Sequence, residues 1–142
     1  MSSKLLVVGS NSFSGSHFAS RASFLGYDVL GISRSSQPPD YFLPQTWDQL
    51  RKSAYKFSQI NLHDVSELEH TVRVFKPKYV VNFAAQGMVA ESWDTPLDWY
   101  QTNLMSQIEL HQILMSLDKL KKYVHVTTPE VYGSTSDWIE ED

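Results

Sequence analysis

Two glycines near the beginning of the chain have the spacing of a phosphate-binding turn. Gly9 follows the apolar run Leu5–Val8, and Gly15 lies six residues later in an amphipathic segment. A glycine lets a strand reverse direction without a Cβ in the way, and a helix beginning near Phe13 would present unpaired N–H groups to an anion. Ser12 stands where a central glycine is expected. The pattern predicts a seat for a pyrophosphate; the alternative is that the glycines only serve a tight strand-to-helix turn.

The elements that would hold this turn are short apolar strands. Four runs, mostly of β-branched or aromatic residues, lack clean polar alternation, which is typical of strands covered on both faces. They are Leu5–Val8, Val29–Ile32, Tyr79–Phe83 and Tyr123–Val126. A fifth, less apolar run, Tyr55–Ile60, is a candidate for the strand between the second and the fourth. Because parallel strands are joined by right-handed crossovers, we expect an α/β fold with a doubly wound parallel sheet (Rossmann), incomplete, with strand order 3-2-1-4-5. The first turn then lies at the switch point, where ligands bind.

Segments with helical periodicity lie between these strands. One apolar face is predicted from Phe18, Ala22 and Leu25, and a second from Leu68, Val72 and Phe75. Gly26 and Pro77 mark the ends of these helices. The segment Ser33–Trp47, which contains three prolines, is predicted as a loop.

The segment Trp99–Leu120 is predicted as a helix that is apolar on two sides. Its stripes are Leu104, Ile108 and Met115 on one side, and Leu110, Ile113, Leu114 and Leu117 on the other. One stripe can cover the sheet, and the other requires a neighbour such as a second copy of the chain. We therefore expect a homo-oligomer through helix 99–120; the alternative is a helix buried by the chain's own loops.

Composition excludes several classes of protein. A chain of 142 residues is one domain's worth, and its net charge of −4 argues against general nucleic-acid binding. No apolar run approaches the roughly 20 residues of a membrane span, and the start of the chain does not fit a secretory signal, so we expect a cytoplasmic protein. The absence of cysteine removes disulfides and thiolate zinc sites. His63, Glu67 and His70 lack the compact His-x-x-x-His spacing, so we predict no metal.

The turn and its surroundings resemble those of a known family. Members carry a motif similar to Gly-Gly-x-Gly-Phe-Ile-Gly-Ser-His. The residues in register here are Gly9, Phe13, Gly15, Ser16 and His17. The chain is similar to the amino-terminal part of the extended short-chain dehydrogenases/reductases, the NAD(P)-dependent nucleotide-sugar epimerases and dehydratases. In motif it most resembles members like GDP-mannose 4,6-dehydratase. The resemblance implies an NAD(P)-binding Rossmann domain over residues 1–142.

The resemblance also implies where the cofactor binds. Asn61 replaces an aspartate that contacts adenine, and an asparagine can still bond an adenine edge. Phe83–Gln86 resembles the small-residue turn beneath the ribose and nicotinamide, and in the family Asn103 supports the active-site helix. Close packing of small residues and a helix cap are the alternatives for these two positions. The implied cofactor residues are Gly9, Ser12, Phe13, Ser14, Gly15, Ser33, Arg34, Ser35, Asn61, Leu62, Phe83, Ala84, Ala85, Gln86 and Asn103.

The choice between the two dinucleotides depends on the residues after the second strand. Ser33, Arg34 and Ser35 include no carboxylate that would accept hydrogen bonds from a ribose 2′-hydroxyl. An arginine at this point suits a 2′-phosphate. We therefore predict NADP rather than NAD; the alternative is a solvated loop arginine.

The residues after the last strand resemble the catalytic loop of the dehydratases. In that family a threonine hydrogen-bonds the sugar's 4-hydroxyl, and a glutamate two residues later takes part in removing water between C5 and C6. Thr128 and Glu130 occupy these positions, and the Thr-x-Glu pattern is like that of GDP-mannose dehydratases. The resemblance implies catalytic roles for both and a nucleotide-diphosphate sugar as substrate. The alternative for Glu130 is an ordinary loop carboxylate.

The family's tyrosine and lysine pair has no counterpart in this chain. In relatives a Tyr-x-x-x-Lys helix follows the Tyr-Gly loop, and no such pair occurs after Gly133. We expect a form truncated before that helix and before the substrate domain, and therefore without appreciable turnover. Two hypotheses follow: the NADP(H)-binding portion of a nucleotide-sugar 4,6-dehydratase or epimerase, or a non-catalytic dinucleotide-binding or interaction module.

Overall fold

A sheet of five parallel strands forms the centre of the molecule. The computed structural model describes residues 2–47 and 55–140. The strands are β1 (Lys4–Val8), β2 (Asp28–Ser33), β3 (Lys56–Gln59), β4 (Tyr79–Asn82) and β5 (Lys122–His125). They pair in the order β3-β2-β1-β4-β5. The predicted strands and their order are confirmed.

The register brings the carboxyl ends of the three central strands to one edge of the sheet. Val8 pairs with Ile32 of β2 on one side and with Asn82 of β4 on the other. The chain leaves β1 toward β2, whereas β4 lies on the opposite side of β1, so the connections diverge here. The turn that follows β1 therefore lies at this edge of the sheet.

Helix α1 (Phe13–Phe24) begins at Phe13, as the sequence predicts. Its buried face differs from the prediction: Gly15, Ser16, Ala19 and Ala22 are buried, whereas Phe18 and Leu25 are partly exposed. Small residues let the helix axis lie close to the sheet, which leaves the larger side chains at the edge of the contact.

Two short helical elements lie in the segment Ser33–Trp47, so the prediction of a loop over this whole segment is wrong. They are a 3₁₀ turn at Asp40–Phe42 and helix α2 (Pro44–Trp47). Proline suits the first position of a helix, since its φ is already helical and its missing N–H has no partner to lose there. The Thr46 hydroxyl donates to the Leu43 carbonyl at 2.7 Å and closes this turn.

Helix α3 (Val65–Phe75) and the last helix of a long helical segment cover the other face of the sheet. The segment consists of α4 (Val89–Asp94), α5 (Pro96–Tyr100), a π-helical turn (Gln101–Met105) and α6 (Ser106–Met115). The predicted helix Trp99–Leu120 thus ends at Met115, five residues earlier than expected. The Ser116 hydroxyl donates to the Ile113 carbonyl and closes the last turn there. The predicted two-sided character is confirmed: Leu110, Ile113 and Leu114 are buried, and Leu104, Ile108 and Met115 are exposed.

The core has two parts, one on each face of the sheet. Alternate residues of the strands contribute to each part, as the period of two requires. Leu6 and Val8 pack with Leu68, Val72 and Phe75 of α3 and with α6, and this face of α3 was predicted. Leu5, Val7, Val29 and Val81 pack with Ala19 and Ala22 of α1. Within the described ranges, no helix combines the length and apolar character that a membrane crossing requires.

Candidate functional site

The turn after β1 is packed closely against the backbone of neighbouring segments. Gly9 has a φ of 78°, and a Cβ there would lie 2.7 Å from the backbone nitrogen of Ala84. A Cβ on Gly15 would overlap the carbonyl oxygen of Gly9. Both glycines are therefore required for the close approach of α1 and the β4 end to the turn, whether or not a ligand binds.

Ser12 is the N-cap of α1. Its Oγ accepts a hydrogen bond from the Gly15 N–H at 3.1 Å and donates one to the Gly9 carbonyl at 2.8 Å. The N–H groups of Phe13 and Ser14 donate to no acceptor in the described part of the chain. The first turn of α1 thus offers two free donors at the positive end of the helix dipole, while the serine takes a third for the cap.

A first cleft of about 310 Å³ opens beside this turn. Eleven of the predicted cofactor residues line it, together with three residues that were not predicted. The predicted ones are Gly9, Ser12, Ser33, Arg34, Ser35, Asn61, Leu62, Phe83, Ala84, Ala85 and Gln86; the others are Asn11, His63 and Thr102. None of these lining residues is acidic, which favours an anionic occupant.

A second cleft of about 810 Å³ adjoins the first. The two clefts share Ser12 and the β4 end from Phe83 to Gln86. The second also contains Phe13, Ser14, Asn103, Gln107, His125, Thr127 and Thr128. Among the predicted residues whose side chains the structure describes, all except Gly15, which is buried in the turn, thus line one continuous groove.

Arg34 lies on the exposed rim of the first cleft. The ion pairs within the described residues, Lys56 with Asp28 and Arg73 with Glu69, do not include it. Its backbone carbonyl accepts a hydrogen bond from the Gln59 amide at 3.1 Å. A guanidinium on a fixed backbone and without a carboxylate partner can bind a phosphate by two parallel hydrogen bonds.

Asn61 shapes the opposite wall of the first cleft. Its Oδ1 accepts from the His63 N–H at 3.1 Å, an Asx-type turn that leads into α3. The His63 ring in turn lies 3.1 Å from the Thr102 hydroxyl of the π-helical turn. The wall therefore joins the start of α3 to the helical segment that follows β4.

Side-chain amides fix the loop at the end of β4. Asn103 forms two hydrogen bonds with the backbone of Gln86, accepting from its N–H at 2.8 Å and donating to its carbonyl at 2.9 Å. Asn82 is buried; it donates to Gln107 at 2.5 Å and to the Tyr123 hydroxyl at 3.1 Å, and accepts from the Ala84 N–H. Removal of one partner would leave a buried polar group unpaired.

Two titratable groups on β5 lie close to this network. Partial burial raises the pKa of Tyr123, and the hydrogen bond from Asn82 offsets part of that rise. Partial burial lowers the pKa of His125, which lines the second cleft, and the positive charge of His111 lowers it further. The Tyr123 ring meets both histidine rings edge to face, with centroids 4.8 Å apart for His111 and 6.2 Å apart for His125.

The predicted catalytic loop follows β5. Thr128 is exposed at the wall of the second cleft, and its carbonyl accepts from the Val131 N–H at 3.3 Å. A 3₁₀ turn, Pro129–Tyr132, comes next. The side chain of Glu130 lies outside the described residues, so its predicted role stays a prediction.

Sequence reasoning missed several residues of the groove. Asn11 lies inside the glycine turn, and an asparagine in a turn commonly bonds nearby backbone, so its type was a usable signal. The contact between His63 and Thr102 joins residues 39 positions apart and has no local signature. His63, weighed as a metal ligand, bonds a hydroxyl instead. The part of the chain that the structure describes holds no group of three or more potential metal-binding side chains.

Curated relatives of this chain include two sugar-nucleotide dehydratases. CDP-glucose 4,6-dehydratase from Salmonella typhimurium is 25% identical over 137 residues, which cover 96% of this chain and 37% of the relative. GDP-mannose 4,6-dehydratase from Vibrio cholerae is 28% identical over 141 residues, covering 94% of this chain and 37% of the relative. The chain thus spans less than two fifths of the length of these relatives.

The same fold is found in solved structures of sugar-nucleotide epimerases. UDP-glucose 4-epimerase from Bifidobacterium longum, solved with NAD+ and UDP, superimposes with a TM-score of 0.81 at 24% identity, over 95% of this chain and 40% of that one. A sequence model of the GDP-mannose 4,6 dehydratase family matches residues 6–142. The chain therefore belongs to the GDP-mannose 4,6 dehydratase family.

Proposed function

We propose that this chain is the NADP(H)-binding portion of a nucleotide-sugar 4,6-dehydratase or epimerase. The observation that carries the proposal is the continuous groove, which runs from Arg34, past the N–H groups of Phe13 and Ser14, to Thr128. Among the described residues, the Arg34 guanidinium has no ion-pair partner and these two N–H groups have no acceptor. Its length and polarity suit a dinucleotide at one end and a sugar at the other.

The residues of the groove fit a dinucleotide in a definite direction. The free N–H groups of Phe13 and Ser14 would hold the pyrophosphate at the helix N-terminus. Asn61 still has its amide NH₂ to bond an adenine edge, since only its oxygen is used in the turn. The loop Phe83–Gln86, held by Asn103, would lie against the ribose and nicotinamide.

Thr128 would act on the sugar in the second cleft. Its hydroxyl can donate to or accept from the 4-hydroxyl of a nucleotide-diphosphate sugar, which would orient the hydrogen on C4 toward a nicotinamide held against the loop Phe83–Gln86. A bound nicotinamide supplies the chemistry of accepting that hydride and returning it. Glu130, two residues later, is proposed as the carboxylate that takes part in removing water.

The preference for NADP over NAD is proposed from charge. An NAD site typically offers a carboxylate to the ribose 2′-hydroxyl, and the first cleft has no acidic lining residue. Arg34, with no ion-pair partner among the described residues, supplies the positive charge that a 2′-phosphate requires.

Titration calorimetry of the 142-residue chain with NADP+ and NAD+ tests the cofactor assignment. We expect NADP+ to bind more tightly than NAD+, and Arg34→Ala to weaken NADP+ by about tenfold, as for loss of a charge-assisted hydrogen bond. Arg73→Ala is the matched control, because this arginine pairs with Glu69 on α3, away from the groove. Absence of binding by either dinucleotide at millimolar concentration would refute the assignment.

The chain alone is proposed to have no appreciable turnover, because its sequence contains no Tyr-x-x-x-Lys pair to supply the phenolic acid and its partner. The measurement is dehydration or epimerisation of a nucleotide-diphosphate sugar with NADP+ present; product formation would contradict the proposal. The second candidate, a non-catalytic dinucleotide-binding module, is favoured by the use of one α1 donor for the Ser12 cap. Sequencing the coding frame beyond Asp142 discriminates: a Tyr-x-x-x-Lys helix there supports the enzyme, and a stop codon supports the module.

Self-association is proposed from the exposed apolar stripe on the π-helical turn and α6, within the predicted segment 99–120. Leu104, Ile108 and Met115 are 50%, 43% and 86% exposed. Covering them against a second copy would remove apolar surface from water at roughly 25 cal/mol per Å². Light scattering at high concentration should detect a dimer or larger species that Ile108→Asp dissociates, whereas a sharp monomer peak for the unmodified chain would contradict it.

A further inference from the structure

Asn11 connects the phosphate turn to the loop that follows β2. Its side-chain nitrogen lies 3.0 Å from the Ser35 carbonyl, 3.1 Å from the Ser35 hydroxyl and 2.9 Å from the Ser36 carbonyl. Its backbone N–H also donates to the Ser33 hydroxyl at 3.0 Å. One residue of the turn after β1 thus contacts the last residue of β2, Ser33, and two residues of the loop after it, Ser35 and Ser36, all more than twenty positions along the chain.

The same loop is held from its other side by β3. The Gln59 amide donates to the Arg34 carbonyl at 3.1 Å, and the Ile60 N–H donates to the Ser33 carbonyl at 2.9 Å. Together with the two carbonyls that Asn11 contacts, every backbone carbonyl from 33 to 36 accepts a hydrogen bond from the protein. A carbonyl engaged in this way repels a nearby phosphate less, and the backbone that carries the guanidinium is fixed.

The orientation of the Asn11 amide is determined by its surroundings. The nitrogen, which has two hydrogens to donate, faces three acceptor oxygens, whereas Oδ1 is buried without a partner in the described residues. The reverse orientation would place an oxygen against three oxygens. An amide donor, and not a carboxylate, is therefore the group that this position accepts.

The side chain of Asn11 has no part in the donors assigned to the pyrophosphate. Those are the backbone N–H groups of Phe13 and Ser14 in α1. Shortening Asn11 to alanine keeps its backbone bond to Ser33 and removes only the contacts to Ser35 and Ser36. Its effect should therefore fall on the loop and not on the helix N-terminus.

We propose that Asn11 is a positioning residue for dinucleotide specificity: it holds the loop 33–36 so that Arg34 and the Ser35 hydroxyl receive the 2′-phosphate of NADP. The inference rests on the proposed cofactor function and extends it to a residue outside the predicted set. Asn11 acts through the loop, so its contribution exists only when a 2′-phosphate is present.

The test measures the Kd of NADP+ and of NAD+ by titration calorimetry for the unmodified chain, Asn11→Ala, Arg34→Ala and the double variant. We expect Asn11→Ala to weaken NADP+ about tenfold and NAD+ less than about twofold. The double variant should match Arg34→Ala within about twofold, because residues that act as one unit are not additive. Ser36→Ala is the matched control, since Asn11 contacts only its backbone carbonyl, and both affinities should be unchanged.

Each outcome decides the question. Equal weakening of both dinucleotides by Asn11→Ala, additive losses in the double variant, or an unmodified chain that prefers NAD+ would overturn the inference while leaving dinucleotide binding intact. An unmodified chain that binds neither dinucleotide would refute the proposed function itself. Circular dichroism checks folding, and Asn11→Ser, which also lacks the NH₂ group, replaces any alanine variant that does not fold.

Discussion

Ser12→Gly should strengthen dinucleotide binding while weakening the fold. Ser12 has a φ of −67° and a ψ of 158°, an ordinary extended conformation, so the backbone does not require a glycine there. What the serine changes is hydrogen bonding: its Oγ occupies the Gly15 N–H at 3.1 Å. A glycine would release that N–H as a third donor at the helix N-terminus.

The two effects have different sizes. A serine N-cap replaced by glycine costs a few tenths of a kcal/mol, and the lost bond to the Gly9 carbonyl adds about 0.5–1.5 kcal/mol. That carbonyl keeps its bond from the Ser12 N–H at 3.0 Å, so it is not left unpaired. A new hydrogen bond to a charged pyrophosphate contributes about 1.5–3 kcal/mol, which corresponds to roughly ten- to hundredfold in Kd.

Calorimetric titration with NADP+ and thermal unfolding by circular dichroism measure the two effects separately. We expect a lower Kd and a melting temperature reduced by about 3–5 °C. Ser116→Ala is the matched control: it also removes a hydroxyl bonded to a backbone carbonyl, at the end of α6, and should lower stability without changing Kd. A folded Ser12→Gly variant that binds NADP+ no more tightly than the unmodified chain would refute the reasoning.

The remaining predictions concern stability. Gly9→Ala should lower the free energy of unfolding by about 3 kcal/mol or more, because φ is 78° and the new Cβ would clash with the Ala84 nitrogen. Gly26→Ala is the control: its φ is 90° but the space around it is open, so it should lower the free energy of unfolding by only about 1 kcal/mol. Urea unfolding measures both, and equal losses would contradict this account. The pKa of His125 should lie below its ordinary value of 6.5, measured by NMR titration. A lowered pKa in the folded state gives stability that is present above 6.5 and is lost as the pH falls through the folded value. The stability of the unmodified chain relative to His125→Gln should therefore decrease from pH 7.5 to 5, and a constant difference would count against it.

Local sequence determined most of the sheet and little of the connections. The apolar runs of β1 and β4 are predictable because a strand covered on both faces needs apolar residues at every position. The prediction of a loop for Ser33–Trp47 is wrong because three prolines are typical of loops, but a proline also suits the first turn of a short helix such as α2. The face predicted for α1 from the helical period of Phe18, Ala22 and Leu25 is only partly right, because a helix lying this close to a sheet buries its small residues.

The candidate site was predictable where a residue's role is local. The glycine turn, Arg34 and Thr128 each follow a strand end, and parallel strands bring their carboxyl ends to one edge, so their proximity follows from the topology. Side-chain contacts between distant segments are different, because the partner of Thr102 or Asn82 depends on how helices cross the sheet. No spacing in the sequence encodes that geometry.

The turn after β1 divides its polar groups between the protein and the ligand. Ser12 and the Asn11 backbone use theirs for the α1 cap and the β2 loop, and two N–H groups are left for an anion. A turn with glycine in place of Ser12 would leave more backbone N–H donors free for an anion, so anion binding would depend less on the rest of the groove. For the proposed binding of NADP, the loop carrying Arg34 would then contribute a larger share of the binding free energy, which requires that loop to be rigid. The Asn11 side chain and Gln59 of β3 hold the carbonyls of that loop in place. Ser12, whose side chain takes one donor of the turn, is therefore next in sequence to Asn11, whose side chain holds the loop that carries Arg34.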